Sequence, residues 1–167
     1  MGFSEEQKLL HDLRHFPVRP HVGVGGVITW ENSVLLVKRK FTPNQGLWAI
    51  PGGHLKLGEK VTEGALRECQ EETGLKLTIR ELASIIDKID RDLEGKVEYH
   101  YTLVDFWIDV DVCYTSKHPP IPIAQSDALE AVFVPYDQLF SYNLTNTVRK
   151  LFVDLEIMKD KKRGPGL

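Results

Sequence analysis

The sequence predicts a layered domain of the α/β or α+β kind, because strand-like segments alternate with helical ones along the chain. Three observations carry that expectation. Residues 21–39 hold two apolar, β-branched runs broken by Glu31-Asn32, the pattern of paired strands. Residues 60–73 contain no proline and one glycine, Gly64, with Val61, Ala65, Cys69 and Thr73 recurring every fourth residue, which is one face of a helix. Residues 145–159 carry Val148, Leu151, Phe152, Leu155 and Met158 on a single amphipathic stripe.

The elements follow in order. Ser4-Glu5-Glu6-Gln7 has the form of a capping box, with Leu9, Leu10, Leu13 and Phe16 as the apolar side of a helix that Pro17 and Pro20 end, so residues 1–20 are expected as a helical extension. Strands are expected over 21–30 and 33–39. Residues 40–58 read as a Gly/Pro-punctuated loop with one apolar break, Leu47-Trp48-Ala49-Ile50. The helix over 60–73 ends at Gly74, which suits a left-handed C-cap. Two long strands, 75–90 and 96–110, flank a hairpin connection at Asp92-Leu93-Glu94-Gly95. A proline-rich loop fills 111–126, Ala131–Val134 is a strand, and Pro135 opens a helical turn before the last helix. Residues 160–167 are expected to fray. Without repeat or linker, residues 1–167 read as one domain, in keeping with a length of 167 residues.

Composition narrows the function. Twenty-four acids against 21 bases give a net charge of −3, which argues against a nucleic-acid-coating protein. No apolar run approaches the roughly 20 residues that span a bilayer, and the N-terminus lacks a signal-like apolar core. Cys69 and Cys113 form no disulfide framework and no metal-ligand spacing. A cytoplasmic protein without membrane or nucleic-acid partners is expected, and a homodimer is compatible with the sequence.

The chemistry is concentrated between Gly52 and Leu75, where five glutamates fall: Glu59, Glu63, Glu68, Glu71 and Glu72. Glu68, Glu71 and Glu72 stand at i, i+3 and i+4, so their carboxylates share one side of the helix. Such a cluster is either a solvated face or a site for a hard divalent cation, since Mg²⁺ and Mn²⁺ take carboxylate oxygens and water. Arg67 lies four residues from both Glu63 and Glu71 and can brace them. Pro51-Gly52-Gly53 precedes the helix and lets backbone approach a ligand without an intervening Cβ.

Gly53-x5-Glu59-x7-Arg67-Glu68-Cys69-x-Glu71-Glu72-x-Gly74-Leu75 resembles the complete signature of the Nudix hydrolases at every specified position. Leu35–Arg39, Gly46–Gly53 and Asp127–Pro135 are similar to the segments that flank that signature in the family. The resemblance implies an α/β/α sandwich with a mixed central sheet, and hydrolysis of a nucleoside diphosphate linked to a group X with Mg²⁺ or Mn²⁺. It implies metal binding by Glu71, Glu72, Glu68 and the Gly52 carbonyl. Glu68 or the outlying Glu130 would act as base, and Arg67 and Glu59 would hold the loop–helix–loop in shape. For substrate, the Trp48–Gly53 run and the Asp127–Ala131 segment look most like small ADP-ribose pyrophosphatases, which yield AMP and ribose 5-phosphate. The proline that often marks that group, about sixteen residues past the signature, is missing from Lys88–Leu93. A nucleoside triphosphate (oxidised nucleotide) pyrophosphohydrolase or a nucleotide-sugar hydrolase is the alternative. A non-catalytic nucleotide sensor is the other class, disfavoured because a 20-residue leading stretch is too small for a DNA-binding module.

Arg39 and Gly53 are candidates for contacting substrate phosphates, and Trp48 and Tyr101 for stacking a base. The six histidines, at 11, 15, 21, 54, 100 and 118, lack metal spacing and read as core or solvated groups, His54 and His100 being placed to approach a ligand. Cys69 reads as a buried filler. Gly23-Val24-Gly25-Gly26 lies inside a strand, with Ile28 in the third-glycine slot, so it reads as a close strand crossing and not a dinucleotide loop.

Overall fold

The computed structural model describes residues 13–42, 44–111 and 120–159. Seven strands run in the order β1 (His21–Trp30), β2 (Ser33–Arg39), β3 (Trp48–Ala49), β4 (Gly52–His54), β5 (Leu77–Arg91), β6 (Val97–Val110) and β7 (Ala128–Pro135). Helix α1 (Val61–Thr73) lies between β4 and β5, and α2 (Asn146–Asp154) follows a 3₁₀ turn at Tyr136–Ser141. The sheet is mixed. β1 runs parallel to β6, whose other edge pairs antiparallel with β5. On its other side β1 splits, pairing with β4 at Gly23–Gly25 and with β2 at Thr29 and Trp30, while β2 also carries β3 and β7.

Strand alternation divides the apolar runs between two faces. Val24, Ile28 and Leu35 join Ala65 and Cys69 of α1 in one core. Val27, Val34 and Leu36 join Val148, Leu151 and Phe152 of α2 in the other. Helices on both faces leave no wet side, which is why Val34-Leu35-Leu36-Val37 is buried throughout. The expected mixed sheet between helices is present.

The structure corrects several boundaries. The loop over 40–58 contains two short strands, β3 and β4. β7 starts at Ala128, three residues before the expected strand. The last helix stops at Asp154 instead of reaching 159: Glu156 takes a left-handed φ of 59°, and the amides of Ile157 and Met158 both donate to the Phe152 carbonyl at 2.8 and 3.0 Å. Met158 is therefore buried by a turn that folds back, not by helical periodicity. The capping box at Ser4, the tail 160–167, Cys113 and half of the proline-rich loop (112–119) lie outside the described residues. No described helix is long and apolar enough to cross a membrane.

Candidate active site

The site is built where β4 meets α1. Helix α1 ends on Gly74, whose φ of 67° is left-handed and whose amide donates to the Gln70 carbonyl, so glycine there closes the helix without Cβ strain. At its start the Lys60 amide donates to Glu63 Oε2 at 3.2 Å.

Arg67 is the hub of the loop–helix–loop. Its Nε and Nη2 donate to the two oxygens of Glu59 at 2.7 and 3.0 Å, a bidentate pair. Nη2 also donates to the His54 carbonyl at 3.0 Å, while Nη1 reaches Glu68 at 2.7 Å and Glu71 at 3.4 Å. Hydrogen bonds from Arg67 and the Lys56 amide hold the Glu59 pKa down at about 2. One guanidinium thus ties β4, the entry loop and the acidic helix face together.

The acids differ in surroundings. Glu72 is 7% exposed and accepts from the Gly52 amide at 2.9 Å. Burial pushes its pKa up to about 8, the Gly52 bond and the nearby Arg39 opposing that while Glu68 and Asp127 reinforce it. Glu68 lies so close under Gly53 that a Cβ there would meet its carboxylate. Glu71 is the most open of the three.

Among the described residues no three acidic, histidine or cysteine side chains already converge on a single metal position. The donor set nevertheless fits a hard cation. It is all oxygen, Glu72 is a buried carboxylate that a nearby positive charge would relieve, and the absent Cβ at Gly53 keeps Glu68 against the backbone of β4.

A pocket of about 210 Å³ opens beside these acids, on the sheet face that carries α2. Gly52, Gly53, Arg39 and Tyr101 all line it, which brings four of the expected site residues to one place. Trp48 is not in its lining. That ring packs edge-on against Tyr142, centroids 5.1 Å apart, with Lys38 Nζ 5.6 Å from its centre. Glu130 is not in the lining either; it is exposed and pairs with Lys38 at 2.7 Å, across the β2–β7 ladder. The β7-side acid whose charge reaches Glu72 is Asp127.

Two lining residues were weakly or not at all visible in the sequence. His54 packs edge-on to Tyr101 at 5.7 Å, and burial lowers its pKa to about 4, so its ring is neutral. Asp105 is 6% exposed on β6. The only signal for it was an acid inside the apolar run Leu103–Ile108.

The NUDIX domain profile matches residues 19–155. Over 146 residues the chain is 35% identical to the ADP-ribose pyrophosphatase of Methanocaldococcus jannaschii, a match spanning 87% of this chain and 75% of that protein. The crystal structure of MutT NUDIX hydrolase from Burkholderia pseudomallei superposes with a TM-score of 0.64 at 26% identity, covering 80% of this chain and 95% of that one. A bifunctional NMN adenylyltransferase/ADP ribose pyrophosphatase from Francisella tularensis, complexed with AMP and a Mn ion, shares the fold. It has a TM-score of 0.67 at 21% identity, over 90% of this chain and 44% of the other.

Proposed function

We propose that this chain, which belongs to the NUDIX hydrolase family and so to the enzymes acting on pyrophosphate bonds, hydrolyses ADP-ribose to AMP and ribose 5-phosphate. The observation that carries the reading is the placement of Gly52 and Gly53. They take part at once in the contacts of the α1 acids and in the pocket lining, so a diphosphate in that pocket lies beside the acids. The 35% identity to an ADP-ribose pyrophosphatase over most of the chain supports the choice of substrate.

In this reading Glu68, Glu71, Glu72 and the Gly52 carbonyl hold Mg²⁺ or Mn²⁺. Such a cation neutralises pyrophosphate charge, lowers the pKa of water and stabilises the leaving phosphate. The chain supplies the rest. Arg67 keeps Glu68 and Glu71 on one side of the helix and fixes α1 to β4. Arg39, at the pocket edge and within electrostatic reach of Glu72, is positioned for a phosphate oxygen. Glu68, which lies against Gly53 of the pocket lining, is the better placed of the two candidate bases, because Glu130 is exposed and outside that lining.

The test is a substrate panel with Mg²⁺ or Mn²⁺: ADP-ribose, nucleotide sugars, NADH, dinucleoside polyphosphates and oxidised dGTP, with products separated by chromatography. AMP from ADP-ribose at the highest kcat/KM is expected. A preference for a triphosphate, with pyrophosphate as product, overturns the choice.

A further inference from the structure

The chemistry at the α1 acids leaves residues 13–20 without a role. They precede β1, whose ladder with β6 starts only at His21 and Tyr101, and they fold over the Glu98–Tyr101 end of β6. The Phe16 amide donates to the Glu98 carbonyl at 2.9 Å, and His15 Nε2 pairs with Glu98 Oε1 at 3.1 Å. The His15 ring packs 5.3 Å from that of Tyr99, and His21 Nε2 donates to the Leu13 carbonyl at 3.1 Å. Anchored on both sides, at Leu13 and at His15–Phe16, Arg14 is held as part of the pocket lining.

Arg14 is half-buried and makes no hydrogen bond or ion pair with another described residue. A guanidinium so placed loses water without gaining a partner, a cost that a ligand would offset. Its surroundings select the ligand. Tyr99 and Tyr101 stand at alternate positions of β6, so both leave the same sheet face and both line the pocket. Gly52 shares a row with Gly25 and Asp105, four residues from Tyr101 and six from Tyr99, about 13 and 20 Å along the strand. Arg39 acts on Glu72 as well as on His54 and Tyr101, whereas Arg14 acts on His54 and Tyr101. Lys88, which also lines the pocket, is already paired with Asp90. The pocket thus has a phosphate end at Gly52 with Arg39 and an aromatic end at Tyr99 with Arg14. Tyrosine rings and a planar cation suit a flat π-system. Thr42, Asn44, Thr145 and Thr147, from the β2–β3 loop and the start of α2, offer the same pocket polar groups for sugar hydroxyls.

We propose that Arg14 is a specificity-determining residue of this pocket, its guanidinium stacking on the substrate's nucleobase at the Tyr99–Tyr101 end of β6. This rests on the reading of the substrate as a nucleoside diphosphate ester, with the diphosphate at the Gly52–Gly53 end. The family profile starts at residue 19, so the contact belongs to the segment that precedes the matched domain.

Calorimetric titration with the two expected products, AMP and ribose 5-phosphate, locates the contact. Arg14→Ala is expected to weaken AMP about 10-fold while leaving ribose 5-phosphate within about 2-fold and Tm unchanged. Arg14→Lys keeps the charge without the plane, so its AMP affinity should stay within about 3-fold of the alanine variant. For ADP-ribose the loss should fall on KM, with kcat within about 2-fold. Equal losses for both products, or full rescue by lysine, put Arg14 on a phosphate and overturn the proposal. A loss confined to ribose 5-phosphate, an unchanged AMP affinity or no AMP binding by the wild type overturns it too. Binding needs no turnover, so an Arg14-dependent AMP site in a protein that does not hydrolyse ADP-ribose would sink the substrate reading alone.

Discussion

Glu72 shows how much one residue decides. Its carboxylate is nearly fully buried and held by the Gly52 amide, so Glu72→Gln keeps the size and the hydrogen-bond acceptor while removing the charge. Turnover is expected to fall by orders of magnitude, on the order of 10³-fold, with the fold intact by circular dichroism; retention of most of the metal-dependent rate would contradict the assignment. Glu130→Gln, by contrast, should change kcat by less than about 3-fold, since it breaks only an exposed pair with Lys38. Asp105 gives a pH signature. Burial raises its pKa from 3.8 to about 6. Between those values the unfolded chain has released a proton that the folded chain still holds, so stability declines as pH rises through that window, by up to about 3 kcal/mol. The Tm of Asp105→Asn minus that of the wild type should therefore grow from pH 4 to pH 6.5 and then level off. A difference that is flat across that range would mean the carboxyl is not desolvated.

At the level of elements, α1 and its entry loop behave as one clamped unit. Arg67 binds Glu59 through a fork that lysine cannot reproduce. Arg67→Lys is expected to lower Tm by about 5 °C and to reduce kcat, because the loop and the acidic face lose their common anchor. An unchanged Tm would show that the clamp is decorative. Helix α1 itself was legible in the sequence to within a residue at its start, because periodicity, absence of proline and a terminal glycine agree. β1 and β2 were legible because a two-residue turn separates two apolar runs. The end of α2 was not: Met158 falls on the helical stripe, yet it reaches the core through a left-handed Glu156, and periodicity does not distinguish the two routes. β3 and β4 are too short to carry a pattern, and pairing with β1 and β2 alone makes them strands.

At the level of the molecule, the α1 acids could be read because they sit in one stretch of sequence, whereas the pocket could not. Its floor is assembled by the register of β1 with β4 and β6, which places Asp105 beside Gly25 across eighty positions of chain. Under the proposed function the same assembly would make the cation a structural partner as well as a chemical one. Gly52 belongs to the sheet and Glu72 to the helix layer, so a cation held by both would bind the native arrangement and not the unfolded chain. Free Mn²⁺ at about 100 times its Kd then adds about 2.7 kcal/mol to stability. For a domain of this size that raises Tm by about 5–10 °C. Chelator-treated protein titrated with Mn²⁺ should show this rise in differential scanning calorimetry, and Glu72→Gln should lose most of it while starting from an equal or higher metal-free Tm, since the desolvation cost that raises the Glu72 pKa to about 8 is gone. A Mn²⁺-induced rise of the same size in wild type and Glu72→Gln would place the cation elsewhere on the molecule.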